Sequence, residues 1–159
     1  VLHILRTNVS NSRYKEKIDI LPVAVSDYDG SSVMLVNKNL EGAEYLSDFH
    51  NTDMYASIFT YETQSHTTVP VWSFKRLIEY VPEEIDVAKL DCKGAEYPII
   101  LITDADTLRC VRRYIIGYHA GPERLVKRLE DLGYRINLKP AAPGHEHLFP
   151  TAGTIFAQR

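Results

Sequence analysis

Three side chains in this sequence have the types and spacing for proton-transfer chemistry: Asp91, Glu96 and His119. Asp91 closes the mainly apolar run Ile85-Asp86-Val87-Ala88-Lys89-Leu90, and Cys92-Lys93-Gly94-Ala95-Glu96-Tyr97-Pro98 follows. A strand, an acid, a glycine and a helix start read as the strand–turn–helix junction of an α/β domain, where strand ends face a ligand crevice. Gly94 permits a tight turn or a close ligand approach. Pro98 suits the first helical position, where its missing N–H costs nothing. His119 closes the next apolar run, from Val111, so carboxylate and imidazole should meet at one sheet edge. An imidazole changes charge near neutral pH and is the natural base, while Asp91 would orient an acceptor or hold a cation. Glu96 would assist from the helix start. The plainer readings are that Glu96 only complements the helix dipole and that His119 caps the helix after Pro122. Lys89 reads as an ion-pair partner on one side of the strand.

The elements that must position these groups follow from periodicity. Val1 to Val9 read as the tail of a helix, and Ile18 to Asp27 as a strand with Pro22 at an edge or unpaired position. Asp27-Tyr28-Asp29-Gly30 forms a turn, and Ser32 to Val36 a returning strand. Residues 37–69 are irregular and polar, with Tyr45, Phe49, Tyr55, Phe59 and Tyr61 available to line a substrate mouth or cover a sheet face. Ser73 is a helix N-cap, Phe74, Leu77, Ile78 and Val81 form the buried stripe, and Pro82 ends that helix. A helix from about Pro98 to Arg109 should separate the strand before Asp91 from the Val111–His119 strand. Gly121-Pro122 opens another helix, with Leu125, Val126, Leu129 and Leu132 inward and Gly133 at its end. Strands from Tyr134 to Leu138 and from Ala152 to Ala157 follow, joined by a Pro- and Gly-rich loop. Alternating strands and helices imply a mostly parallel sheet, with the last two strands antiparallel.

The central stretch also resembles a known family. Lys89, Asp91, Lys93, Gly94 and Glu96 are similar to the Lys-x-Asp-x-Glu-Gly-x-Glu signature of the FkbM-type methyltransferases, which use S-adenosylmethionine. Lys93 stands where that family usually has glutamate, and Gly117-Tyr118-His119 stands where it usually has Glu-x-His. Ala24-Val25-Ser26-Asp27-Tyr28-Asp29-Gly30 resembles the family's Ala-hydrophobic-Ser-Asp-x-x-Gly run. The resemblance implies an α/β, Rossmann-like methyltransferase sheet, mostly parallel with a C-terminal antiparallel hairpin. It further implies S-adenosylmethionine as cofactor, with Ala24, Val25, Ser26 and Asp27 near its adenine and Asp91 also beside it. Methyl transfer would go to a hydroxyl of a sugar or small metabolite, with Asp91, His119 and Glu96 as catalytic groups. The family opens with a strand, a glycine-rich turn, a helix and a second strand, yet nothing glycine-rich precedes Gly30. One N-terminally truncated domain lacking its first two strands is therefore expected. Three strand spacings, roughly 14 Å, would separate the Ile20–Ser26 and Asp86–Cys92 strands. An upstream segment, a partner's strands or closure of the two pieces would have to fill that gap.

Composition narrows the alternatives. With 159 residues, 45% hydrophobic residues and a net charge of −3, one soluble globular domain is the default. That balance offers no nucleic-acid or membrane surface. No run approaches the roughly 20 apolar residues of a spanning helix, and no signal pattern opens the sequence, so a cytoplasmic protein is expected. Cys92 and Cys110 read as buried thiols rather than a disulfide. His145-Glu146-His147 has too few ligands for a metal site, and Arg112-Arg113 and Lys127-Arg128 read as solvated pairs. Two further functions use the same residues. Asp91-Cys92-Lys93 with Asp86 or Glu84 resembles the acid-x-Lys half of a metal-dependent nuclease site. A degenerate methyltransferase-like domain, kept for binding or assembly, would account for Lys93 and Gly117. The partner expected is a small-molecule or glycan acceptor, and exposed sheet edges would let copies of the chain associate.

Overall fold

The computed structural model describes residues 2–36, 45–46, 65–81, 84–140 and 151–159. Phe49, Tyr55, Phe59, Tyr61, Pro82 and the His145–His147 triplet lie outside them. The described chain is mixed α/β, with two four-stranded sheets.

The first sheet holds β1 (Ala24–Ser26), β2 (Gly30–Val36), β3 (Tyr45–Leu46) and β4 (Ser65–Ser73) in the order β1-β4-β2-β3. β1 runs parallel to β4, and β2 antiparallel to both β3 and β4. The strand expected from Ile18 shrinks to three residues. A 3-10 turn occupies Lys15–Lys17, and the Val23 N–H donates to the Leu21 carbonyl across Pro22 at 2.9 Å. That tight turn about a residue with no N–H keeps the chain out of the ladder until Ala24. β4 is a nine-residue strand where an irregular approach was expected. Its Thr67-Thr68-Val69 and Val71-Trp72 suit a pleated surface, and Pro70 is accommodated opposite Ser31.

β4 passes into α2 (Phe74–Tyr80) with no intervening residue. Ser73 is the N-cap, as expected, its side chain accepting the Arg76 N–H. Asp29, from the β1–β2 turn, accepts from the Ser73 N–H and the Ser73 hydroxyl, both at 3.1 Å. The turn that carries the chain from β1 across β4 to β2 is thereby fastened to the start of α2.

The second sheet holds β5 (Ile85–Leu90), β6 (Val111–Tyr118), β7 (Arg135–Pro140) and β8 (Gly153–Gln158) in the order β5-β6-β8-β7. Only β5 and β6 are parallel; β6 with β8 and β7 with β8 are antiparallel. The C-terminal hairpin forms as expected. One mostly parallel sheet does not: both sheets are mixed, and antiparallel pairings outnumber parallel ones. The physical reason lies at the edges, because β1 and β5 have no described strand between them that would join the two ladders.

The single helix expected over 98–109 is two, α3 (Glu96–Ile102) and α4 (Ala105–Arg109). Asp104 breaks it by capping α4, its carboxylate accepting the Thr107 N–H at 2.9 Å. Pro98 is the third residue of α3 rather than the first, still within the turn whose N–H groups have no intrahelical partner. α5 (Glu123–Asp131) ends as expected at Gly133, whose φ of +90° requires glycine. The Tyr134 N–H reaches the Leu129 carbonyl and the Gly133 N–H the Glu130 carbonyl, closing the helix end.

One face of the second sheet carries the core. Tyr114, Ile116, Tyr118, Ile155 and Ala157 point into a buried cluster with Phe74 and Ile78 of α2, Ile99 and Ile100 of α3, Leu108 of α4 and Leu125 and Leu129 of α5. Val25 of β1 packs against the same cluster, which ties the two sheets together. On the other face Val87 is 45% exposed. α1 (Leu2–Ser10) forms as the sequence suggests, but it buries none of its residues. Cys92 is half-buried and Cys110 exposed, so the second thiol departs from expectation; neither forms a disulfide. No helix among the described residues is long and apolar enough to cross a membrane.

Candidate active site

Period-two alternation places Lys89 and Asp91 on the same side of the β5 chain, and Ile115 and Gly117 of β6, with His119 just past its end, run alongside. Lys89 pairs with Ile115 and Leu90 with Ile116, which carries Asp91 to the level of Gly117. A Cβ built on Gly117 would lie 3.5 Å from Asp91 Oδ1, in ordinary contact, so the space beside the carboxylate carries no side chain from β6.

Behind this ledge sits a buried acid. Glu96, the first residue of α3, is 0% exposed. Its Oε2 accepts the Gly94 N–H at 2.9 Å, and its Oε1 lies 2.8 Å from His119 Nδ1. A buried carboxyl group needs hydrogen-bond partners, and the Gly94 N–H and the imidazole supply them. An ionised carboxylate only accepts, so it selects the imidazole form with its proton on Nδ1 and its lone pair on Nε2. Helix-dipole complementation alone does not describe Glu96, which touches the imidazole directly. The N-cap position of α5 is held by Pro122, whose side chain makes no capping hydrogen bond.

The loop bearing His119 is held from two sides. The Tyr97 hydroxyl accepts the Ala120 N–H and donates to the Gly121 carbonyl, both at 2.8 Å. The Thr151 hydroxyl donates to the His119 carbonyl at 2.8 Å. Neither residue was visible as a site residue in the sequence, because a tyrosine at the start of an apolar helix reads as core and Thr151 lies in a loop far along the chain.

Asp91 is not a bare acid. Lys93 Nζ is 2.9 Å from its Oδ1, and Lys89 Nζ is 3.5 Å from its Oδ2. Partial burial pushes the Asp91 carboxyl up. The hydrogen bond and charge of Lys93, with Lys89 and His119 adding, outweigh that and hold it below its ordinary 3.8. Lys93 adopts φ +51°, the only non-glycine residue with positive φ among those described. Burial and the nearby Glu96 charge push the Cys92 thiol up to about 11, so it is no thiolate nucleophile near neutral pH.

The structure therefore brings Asp91, Glu96 and His119 together and adds Lys89, Lys93 and Tyr97. Ala24, Val25, Ser26 and Asp27 lie on the first sheet. There Ser26 is buried, its hydroxyl donates to Asp27 Oδ1 at 3.0 Å, and β1 touches α3. The acids of the nuclease alternative do not converge. Asp86 is bound to Arg112 at 3.2 Å and Glu84 to Arg159 at 3.6 Å. Both lie toward the far end of β5, where Asp86 is about 16 Å along the strand from Asp91. No group of acids, histidines and cysteines suited to a metal ion occurs among the described residues.

Two parallel strands thus bring an acid and a histidine to one edge of the sheet, with a buried carboxylate against the histidine. Residues 4–136 match the family model for the methyltransferase FkbM domain, and the chain belongs to that family. No curated protein and no solved structure matches it.

Proposed function

We propose that the protein is an S-adenosylmethionine-dependent O-methyltransferase acting on a hydroxyl of a sugar or small metabolite, with His119 as its base. The observation that carries this reading is the Glu96–His119 contact of 2.8 Å, made by a carboxylate with no solvent exposure. Such a pair holds the imidazole in one tautomer and stabilises the imidazolium that forms when it takes a proton. The acceptor hydroxyl gives its proton to His119 Nε2, and its oxygen becomes the nucleophile. Asp91, backed by Lys93, positions that hydroxyl beside Gly117. S-adenosylmethionine, when bound, supplies the electrophilic methyl group and leaves as the neutral thioether. The polar Ser26–Asp27 tip of β1, next to α3, suits the hydrogen-bonding edge of an adenine. Among the described residues β1 and β5 are each the outer strand of their sheet, and a strand from outside those residues or from a partner would complete the cofactor side.

Calorimetry with S-adenosylmethionine and with its thioether product on the full-length protein tests the reading. Saturable binding of both, with turnover lost in His119→Ala, is expected. Absence of binding by either ligand refutes it and leaves the degenerate binding domain, for which the Lys93 and Gly117 substitutions speak.

A further inference from the structure

Resting on the methyltransferase reading, we propose that Lys89 and Lys93 form a two-cation clamp that makes the site selective for an acceptor bearing an oxyanion, a carboxylate or phosphate close to the hydroxyl that is methylated.

Four observations carry this. One carboxylate, Asp91, lies between two ammonium groups, one on each oxygen, at 2.9 and 3.5 Å. Among these three solvent-accessible side chains one positive charge is in excess. Glu96 carries a further negative charge, but it is fully buried behind the ledge, so the two ammonium groups are what a ligand meets at the surface. Each ammonium has three N–H donors and gives one to Asp91, so donors remain for a ligand oxygen. The groups are also reachable: the side chains of Lys89, Asp91 and Lys93 are 66%, 43% and 32% exposed.

The backbone adds an independent sign. Lys93 is held at φ +51°, a left-handed conformation that disfavours any side chain with a Cβ. Strain of that kind persists where the surroundings fix it, often at binding sites. Here it delivers the ammonium to Asp91. Gly117 puts no side chain of its own on the adjoining ledge, and the nearest atoms to a Cβ built there are those of the Asp91 carboxylate and the Leu90 carbonyl, at 3.5 to 3.8 Å. An acidic compound resting on that ledge meets both ammonium groups with its anion and His119 with its hydroxyl.

The test uses full-length protein and three probes: glucuronate for a carboxylate, glucose 6-phosphate for a phosphate, and glucose as the neutral control. Amide shifts of Lys93, Gly117 and His119 are followed by NMR titration, and the thioether product is titrated in parallel. At least one acidic probe is expected to bind at least 10-fold tighter than glucose, and the acidic probe that wins identifies the source of the anion. Raising salt should weaken that preference. Lys89→Met and Lys93→Met should each cut binding of the acidic probe several-fold more than they cut binding of glucose, and Lys93→Arg should restore most of it. Lys93→Gly relieves the backbone and removes the charge, so it should lose acidic binding while remaining folded. Equal binding of acidic and neutral sugars, no binding of either acidic probe, or acidic binding indifferent to both lysines overturns the proposal. Binding of the thioether alongside any of those results leaves the methyltransferase reading standing, whereas its absence strikes that reading instead.

Discussion

Replacing Glu96 with glutamine removes a charge from the most enclosed polar position of the site and changes almost nothing in volume. The carboxylate now accepts from two donors, the Gly94 N–H at 2.9 Å and His119 Nδ1 at 2.8 Å. A glutamine offers one carbonyl and one NH2, so it satisfies one of these donors and turns its own N–H toward the other. If the carbonyl keeps Gly94, the NH2 faces His119, and the imidazole must move its proton to Nε2 to accept. If it keeps His119, the Gly94 N–H is left facing an N–H. Either arrangement forfeits a charge-assisted bond and leaves a buried mismatch, each worth about 1–3 kcal/mol. Because tautomer exchange resolves one of the two, the expected net loss of stability is about 1–3 kcal/mol. For a chain of this length that lowers the melting temperature by roughly 2–4 °C per kcal/mol. Losing the base at Nε2 should slow methyl transfer by about 10²- to 10⁴-fold. Nitrogen-15 shifts of the imidazole report the tautomer directly, and urea denaturation reports stability. A variant that keeps the proton on Nδ1 and unfolds within about 0.5 kcal/mol of wild type would show that the carboxylate does not govern the imidazole.

Other perturbations read out neighbouring parts of the site. Asp91 has a folded-state pKa below 3.8, so its contribution is complete above about pH 5 and disappears as pH falls through the lowered value; urea midpoints of wild type and Asp91→Asn should differ at neutral pH and converge in strong acid. Tyr97→Phe removes both 2.8 Å bonds to the His119–Gly121 loop, which should cost about 1–2 kcal/mol and show as faster amide exchange at Ala120. A Cβ on Gly153 would strike the Tyr118 hydroxyl and the Lys139 carbonyl, so Gly153→Ala should destabilise by about 1–3 kcal/mol in calorimetry. Gly133→Ala, at φ +90°, should cost about 1 kcal/mol, seen as a lower melting temperature.

Much of the second sheet was legible because its signals are local. Ser73 and Gly133 carry side-chain or backbone chemistry that marks a helix end wherever it occurs, and both do so here. The convergence of Asp91 and His119 followed from two apolar runs of similar length ending in reactive groups. The depth of Glu96 was not legible, since a glutamate opening a helix looks the same whether it faces water or an imidazole. β4 was missed because its hydroxyl-bearing residues lower hydrophobicity while favouring extended backbone, and Pro70 reads as a strand breaker. The split between α3 and α4 was readable in principle, because Asp104 and Thr107 have cap spacing, but an unbroken helical period across Ile99 to Leu108 masked it. Separation of the chain into two mixed ladders is a property of which strands are present to pair, and no single stretch of sequence encodes it.

Ser73 ends a strand and begins a helix at the same residue, and Asp29 grips it from the neighbouring turn. A joint of that kind has no slack: any tilt of the first ladder must rotate α2, and with it Phe74, whose ring lies 6.4 Å from that of Tyr114. Tyr114 lies on the same strand as Gly117, just ahead of His119. Loosening the grip by Asp29→Ala should therefore be felt at the imidazole as a change of aim, transmitted through tilted, packed rings rather than through any bond to the reacting groups.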